Sequence, residues 1–196
     1  MWQLFRRLLS VPVALGFSVH ALVRFGWSDL AWWALYVVAG VGLWTLFEYA
    51  MHRWLYHRVV FFKRYHDTHH VTPDVYIGAP PIIGTGLIVL VTMAPLAIAA
   101  PLAASGLTVG MLSGYAAYMI VHHVCHFATP AHGTYLYRAR LRHAVHHYSH
   151  DEHNFGVSTA FWDRVFGTHR IGQKRFVDRY AAPGRSNQGI ASNRLP

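Results

Sequence analysis

The chain is organised by long apolar stretches separated by short polar ones. From Val75 to Tyr137 there is no Asp, Glu, Lys or Arg, a run of 63 residues. That is too long for one membrane-crossing helix and suits two of about 20 residues each, joined by a turn. The pattern predicts spans near 81–101 and 107–127, with the reversal at Pro101 to Gly106 (PLAASG), where Pro and Gly stop a helix. Upstream, residues 30–50 (LAWWALYVVAGVGLWTLFEYA) form a third apolar run whose charge, Glu48, lies near its end. A fourth run, 8–25, contains Pro12, His20 and Arg24. It reads as a retained anchor rather than a cleaved signal peptide behind Arg6 and Arg7, because no clean small-residue cleavage site follows. The expected fold class is therefore all-α: an integral membrane protein with about four transmembrane helices. A single membrane domain is expected over 1–182 and a flexible tail over 183–196, where PGRSNQGIASNRLP lacks apolar periodicity.

Composition sharpens this picture. Only 13% of residues are charged against 54% apolar, about half the charged share of a soluble domain. One cysteine, Cys125, rules out a disulfide scaffold. The net charge of +9 comes from 17 Lys or Arg against 8 Asp or Glu. With four spans drawn, Arg6, Arg7, Arg53, Arg58, Lys63, Arg64 and the basic C-terminal third fall on one side, so both termini and both polar segments are expected in the cytoplasm. The surplus charge then reads as topology and contact with anionic headgroups. It does not read as a nucleic-acid surface, because the aromatic residues lie in the spans rather than between the basic ones.

Sixteen histidines are the chemical signal. They cluster at the ends of the predicted spans and in the polar segments: His52 and His57; His66, His69 and His70; His122 and His126; His143, His146 and His147. On a helix, residues three or four apart share a face. His66 can therefore meet His69 or His70, His122 can meet His126, and His143 can meet His146 or His147. Neighbours such as His69 and His70 diverge by about 100°, so each can serve a different metal. The HxxHH pattern occurs twice, in HDTHH and HAVHH, which suits a two-metal site. Imidazole is the commonest metal ligand, and several together suit iron, zinc, copper or nickel. His20, His123, His132 and His169 read as structural, while His150 and His153 suit outer positions or the surface. A metal transporter is disfavoured because its ligands should lie at mid-span.

The strings EYAMHRWLYH, HDTHH, HAVHHY and NFGVSTAFWDRVFGTH resemble the fatty acid hydroxylase and sterol desaturase superfamily over roughly residues 44–169. Within it, HHY followed shortly by NFGV is most similar to the fatty acid 2-hydroxylase branch. The resemblance implies a cytoplasmic histidine-rich cap and a dinuclear metal centre with His52, His57, His66, His69, His70, His122, His126, His143, His146 and His147 as ligands. It implies two iron ions, with zinc able to occupy the sites in purified protein, and hydroxylation of a lipid acyl chain by dioxygen. The two electrons would come from a separate donor, ferredoxin-like or a haem protein with its reductase, since no haem-carrying donor domain is recognisable. Asp163, in FWDRVFGT, and Glu48, four residues before His52, are the leading carboxylates for orienting imidazoles. Tyr148 suits either a hydrogen-bond donor or an interface anchor, and Tyr115 and Tyr118 either line a lipid cavity or pack. One departure concerns the third cluster, which lacks a further histidine after His126 and has His123 before it. Alternatives within the superfamily are a sterol or carotenoid hydroxylase or desaturase, and outside it a zinc-dependent membrane hydrolase.

Overall fold

The computed structural model describes residues 8–73 and 81–171, so the expected tail at 183–196 lies outside the described residues. Those described are helical, with no strand among them. Helix α1 is Ser10–Arg24, and a 3₁₀ turn at Trp27–Asp29 leads into α2, Leu30–Ala50, which continues as a π-helical turn, Met51–Tyr56. Helices α3 (Val60–Val71), α4 (Pro81–Met93), α5 (Pro101–Phe127), α6 (Tyr135–Tyr148) and α7 (Phe161–Val165) follow. The all-α expectation holds.

Among the described residues, two helical stretches, Trp27–Tyr56 and Pro101–Phe127, are long and apolar enough to cross a membrane. Helices α1 and α4 have 15 and 13 residues. Each is roughly 20 Å long, short of a hydrocarbon core about 30 Å thick. The reversal expected at Pro101 to Gly106 is corrected by the structure. Helix α4 ends at Met93 and the chain turns over 94–100, ahead of Pro101. Pro95 ends the first helix, whereas Pro101 opens the next, where its missing N–H is no loss.

The described chain forms two compact units, 8–47 with 81–119 and 48–73 with 120–171. The first is held by close backbone approach. Gly106, Gly110 and Gly114 recur every fourth residue along α5. A Cβ on Gly110 would lie 2.1 Å from the Val37 carbonyl oxygen, and one on Gly40 would lie 2.6 Å from that of Leu107. Small residues at this spacing let two helices touch backbone to backbone, as in apolar bundles. Gly114 abuts the Trp44 ring, which packs with Ala14, Ile88, Met111, Leu112 and Met119. Tyr115 and Tyr118 pack against Trp44 in tilted ring contacts at centroid distances of 5.1 and 5.9 Å.

Gly110→Leu would drive a side chain into the α2 backbone and is expected to cost at least ~1–3 kcal/mol. Gly42 on the same helix pair has open space around it, so Gly42→Leu is the control. Thermal unfolding in detergent checks this, with only the first substitution lowering the midpoint.

Candidate metal centre

All ten clustered histidines lie in the second unit, on four elements. In an α-helix, residues five apart diverge, yet His52 and His57 come within 5.2 Å ring to ring. The π-helical turn Met51–Tyr56 explains it: its i→i+5 bonding widens the turn and swings the two rings toward one point. Elsewhere ordinary α geometry pairs residues four apart, His66 with His70, His122 with His126, and His143 with His147. The result is two groups of five: His52, His57, His66, His70 and His146; and His69, His122, His126, His143 and His147. Within each group one ligand atom per residue lies within 4.8 Å of all the others. Each HxxHH motif serves both groups. The outer pair of HDTHH joins the first and its middle His69 the second, while HAVHH does the reverse.

The spacing inside each group is informative. His66 Nε2 lies 3.0 Å from the Nε2 atoms of His52, His57 and His70 alike. A ring nitrogen has one hydrogen or one lone pair, so it can satisfy one such neighbour and not three. Nitrogens at right angles around a metal ~2.1 Å away would stand ~3.0 Å apart. In the second group the Nε2 separations are 3.2 Å for His69 and His122, 3.1 Å for His122 and His126, and 2.9 Å for His126 and His143. His147 is half-buried, but both of its ring nitrogens are shut off from solvent with no hydrogen bond, which a lone-pair acceptor such as a metal would relieve. Both groups are compatible with metal binding.

A segment after α6 closes over the first group. His52 Nδ1 donates to the Phe155 carbonyl at 2.6 Å, and His146 Nδ1 donates to the His153 carbonyl at 2.8 Å. A carbonyl only accepts, so each proton sits on Nδ1 and each Nε2 offers its lone pair. Two carboxylates grip this segment. Asp163 accepts from the Phe155 and Gly156 backbone N–H groups and from the Thr168 hydroxyl, each at 2.8 Å. Glu48 accepts from Val157 N at 2.7 Å, from Ser158 N at 2.8 Å and from the Ser158 hydroxyl. Gly156 is required here, because a Cβ would fall 2.1 Å from the Thr159 carbonyl oxygen. Asn154, at φ 58°, takes the left-handed conformation that Asn tolerates. Its side chain donates to the Arg170 carbonyl and accepts from Arg170 N.

Asp163 and Glu48, expected to orient imidazoles directly, thus hold the backbone that does so. Sequence reasoning did not find the carbonyls of His153 and Phe155, nor Asn154 and Gly156 as the residues shaping their segment. An Asn and a Gly on either side of Phe155 were the available signal. Tyr148 lies 5.7 Å from the His147 ring, and His123 stacks on Phe127 outside both groups.

A family model described as fatty acid hydroxylase matches residues 37–168. Among curated proteins, a fatty acid 2-hydroxylase of Macaca fascicularis is 33% identical over 145 residues, 66% of this chain and 38% of that protein. A dihydroceramide fatty acyl 2-hydroxylase of Arabidopsis thaliana is 32% identical over 145 residues, 68% of this chain and 60% of that protein. This chain therefore spans 38% to 60% of their lengths, less than two thirds of either. A solved structure of full-length scs7p, in which only the hydroxylase domain is visible, superposes with a TM-score of 0.69 at 27% identity. It covers 82% of this chain and 64% of that one.

Burial holds His66, His70, His143, His146 and His147 below the ordinary imidazole value of 6.5, and neighbouring rings lower them further. Above that value the rings are neutral whether the chain is folded or not. Below it the unfolded chain gains protons that the folded chain excludes, so stability falls toward acid by about 1.4 kcal/mol per pH unit for each such ring. The thermal midpoint of the metal-free protein is expected to be level above about pH 7.5 and to drop steadily below about pH 6. A midpoint indifferent to acid would contradict this picture of the site.

Proposed function

The chain belongs to the fatty acid hydroxylase family, and from that premise we propose that it is a membrane-bound di-iron oxygenase hydroxylating the acyl chain of a lipid. The observation that carries the proposal is the pair of five-imidazole groups, each converging on one point. His52, His57, His66, His70 and His146 would hold one iron and His69, His122, His126, His143 and His147 the other. Iron fits better than zinc, because inserting oxygen into an unactivated C–H bond needs a metal that changes oxidation state. When bound, the two irons would supply the reduction of dioxygen. Overall, R–H, O2, two electrons and two protons give R–OH and water, with the electrons from a separate donor, ferredoxin-like or a haem protein with its reductase.

The chain's own groups have defined tasks. The carbonyls of His153 and Phe155 fix the tautomers of His146 and His52, so that Nε2 faces the metal. Full burial of rings such as His69 and His146 keeps bulk water from their donor atoms. The apolar stretches Trp27–Tyr56 and Pro101–Phe127 support a bilayer location. In the proposed arrangement α1 and α4 complete four apolar helices and both termini lie in the cytoplasm, in keeping with the distribution of Lys and Arg. An acyl substrate is favoured over a sterol or carotenoid because the named relatives act on fatty acyl chains.

Mass spectrometry of lipids from cells carrying the protein should reveal an acyl species one oxygen heavier. It should be absent with His146→Ala and absent without oxygen. Product that persists in the variant would refute the site, and turnover without oxygen or reductant would indicate a hydrolase instead.

A further inference from the structure

Tyr49 and Arg53 of the EYAMHR string belong to neither histidine group, yet both are bonded into the surroundings of His52. Arg53 follows His52 in the chain and reaches back one helical turn, where its Nη1 donates to Tyr49 Oη at 2.8 Å. Tyr49 Oη lies 3.0 Å from Thr168 Oγ1, and the Thr168 hydroxyl donates to Asp163 Oδ1 at 2.8 Å. The same Oδ1 accepts from Phe155 N at 2.8 Å, and the Phe155 carbonyl accepts from His52 Nδ1 at 2.6 Å. The connections start at Arg53 and end at its chain neighbour His52, so they close into a ring.

The donors and acceptors of this ring are fixed. The Asp163 carboxylate only accepts, so the Thr168 hydrogen is spent on it and Thr168 Oγ1 accepts from the Tyr49 hydroxyl. Tyr49 Oη in turn accepts from Arg53, which only donates. The side-chain bonds all point one way, from guanidinium to carboxylate, and in such a series each bond polarises the next. Tyr49, Thr168, Asp163 and Phe155 are buried, where a polar atom that loses its partner stays unpaired. Ring contacts run alongside. The Arg53 guanidinium carbon lies 5.8, 5.6 and 6.0 Å from the ring centroids of Tyr49, Trp54 and Phe155, within cation–π reach. The Phe155 ring in turn meets those of His52, His57 and His146 edge to face at 5.7, 5.3 and 5.7 Å.

We propose that Arg53 and Tyr49 are positioning residues for the metal centre. Acting through Thr168 and Asp163, they lock the π-helical turn that carries His52 and His57 to the segment whose Phe155 carbonyl orients His52. The inference rests on the di-iron reading above and names what keeps one of its ligands aimed. His52 Nδ1–H meets that carbonyl only while turn and segment keep their register. In that register His52 Nε2 stands 3.0 Å from His66 Nε2, a spacing that two ligands of one metal would adopt.

Iron competition against a chelator and backbone hydrogen exchange, both on the full chain in detergent, test the lock. Tyr49→Phe keeps the ring and removes the oxygen. It should release iron to the chelator ~10-fold more readily. In metal-free protein it should speed exchange of the Phe155 and Gly156 N–H groups, which end on Asp163. Arg53→Met keeps an apolar stem against the rings but donates nothing, and should reproduce both effects. Arg53→Lys restores a donor and should reverse most of them. The bonds act in series, so Tyr49→Phe combined with Arg53→Met should be no worse than either alone. Wild-type iron affinity and exchange in a folded Tyr49→Phe overturn the inference, as does an Arg53→Lys no better than Arg53→Met. Should the variants lose helical content, metal-free wild type decides: Phe155 and Gly156 amides as slow as those of α6 support the lock, and amides as fast as an open loop overturn it. Wild type that binds no iron would instead refute the di-iron reading, and exchange in metal-free protein then decides the lock by itself.

Discussion

An imidazole can be buried cheaply only while it is neutral and its N–H has an acceptor. Ten of them gathered in one small unit make that condition the governing constraint of the site. Their Nε2 atoms crowd to about 3 Å, too close for each to find a hydrogen-bond partner among the others. The surroundings answer from the opposite side of the rings, where carbonyls take the Nδ1 protons of His52 and His146. Those carbonyls belong to a segment without regular secondary structure, and such a segment needs its own N–H groups satisfied. Asp163 and Glu48 do so, which is why a nitrogen-rich site still depends on two buried carboxylates.

The crossed use of the HxxHH motifs has a mechanical side. Helix α3 gives His66 and His70 to one group and His69 to the other, while α6 gives His146 to the first and His143 and His147 to the second. A rotation of either helix that improved one group would spoil the other. The first unit is secured on a different principle, since the glycines of α5 let its backbone touch α2 at Gly40. There the restraint is steric and apolar; around the histidines it is polar.

Much of this was legible in the chain. Apolar runs announced the helices, and four-residue spacings paired His66 with His70, His122 with His126 and His143 with His147. The 100° offset between adjacent histidines foretold that His69 and His70 would face different points, as they do. Illegible features were those with no side-chain signature. Nothing in α-helical periodicity brings His52 to His57, and backbone carbonyls at 153 and 155 are invisible to any scan for chemical groups. The expected span 81–101 ran straight through Pro95, and the reversal was expected at Pro101. Only the fold shows that Pro95 stops α4 while Pro101 starts α5.

The π-helical turn at Met51–Tyr56 does more than pair two histidines. A π turn is an α-helix with an added residue, and such an addition resets the rotational phase of everything beyond it. The apolar surface of Leu30–Ala50 and the histidine-bearing surface after it are therefore set independently. Had the helix stayed in α register, one angular setting would have had to serve both an apolar environment and an array of imidazoles.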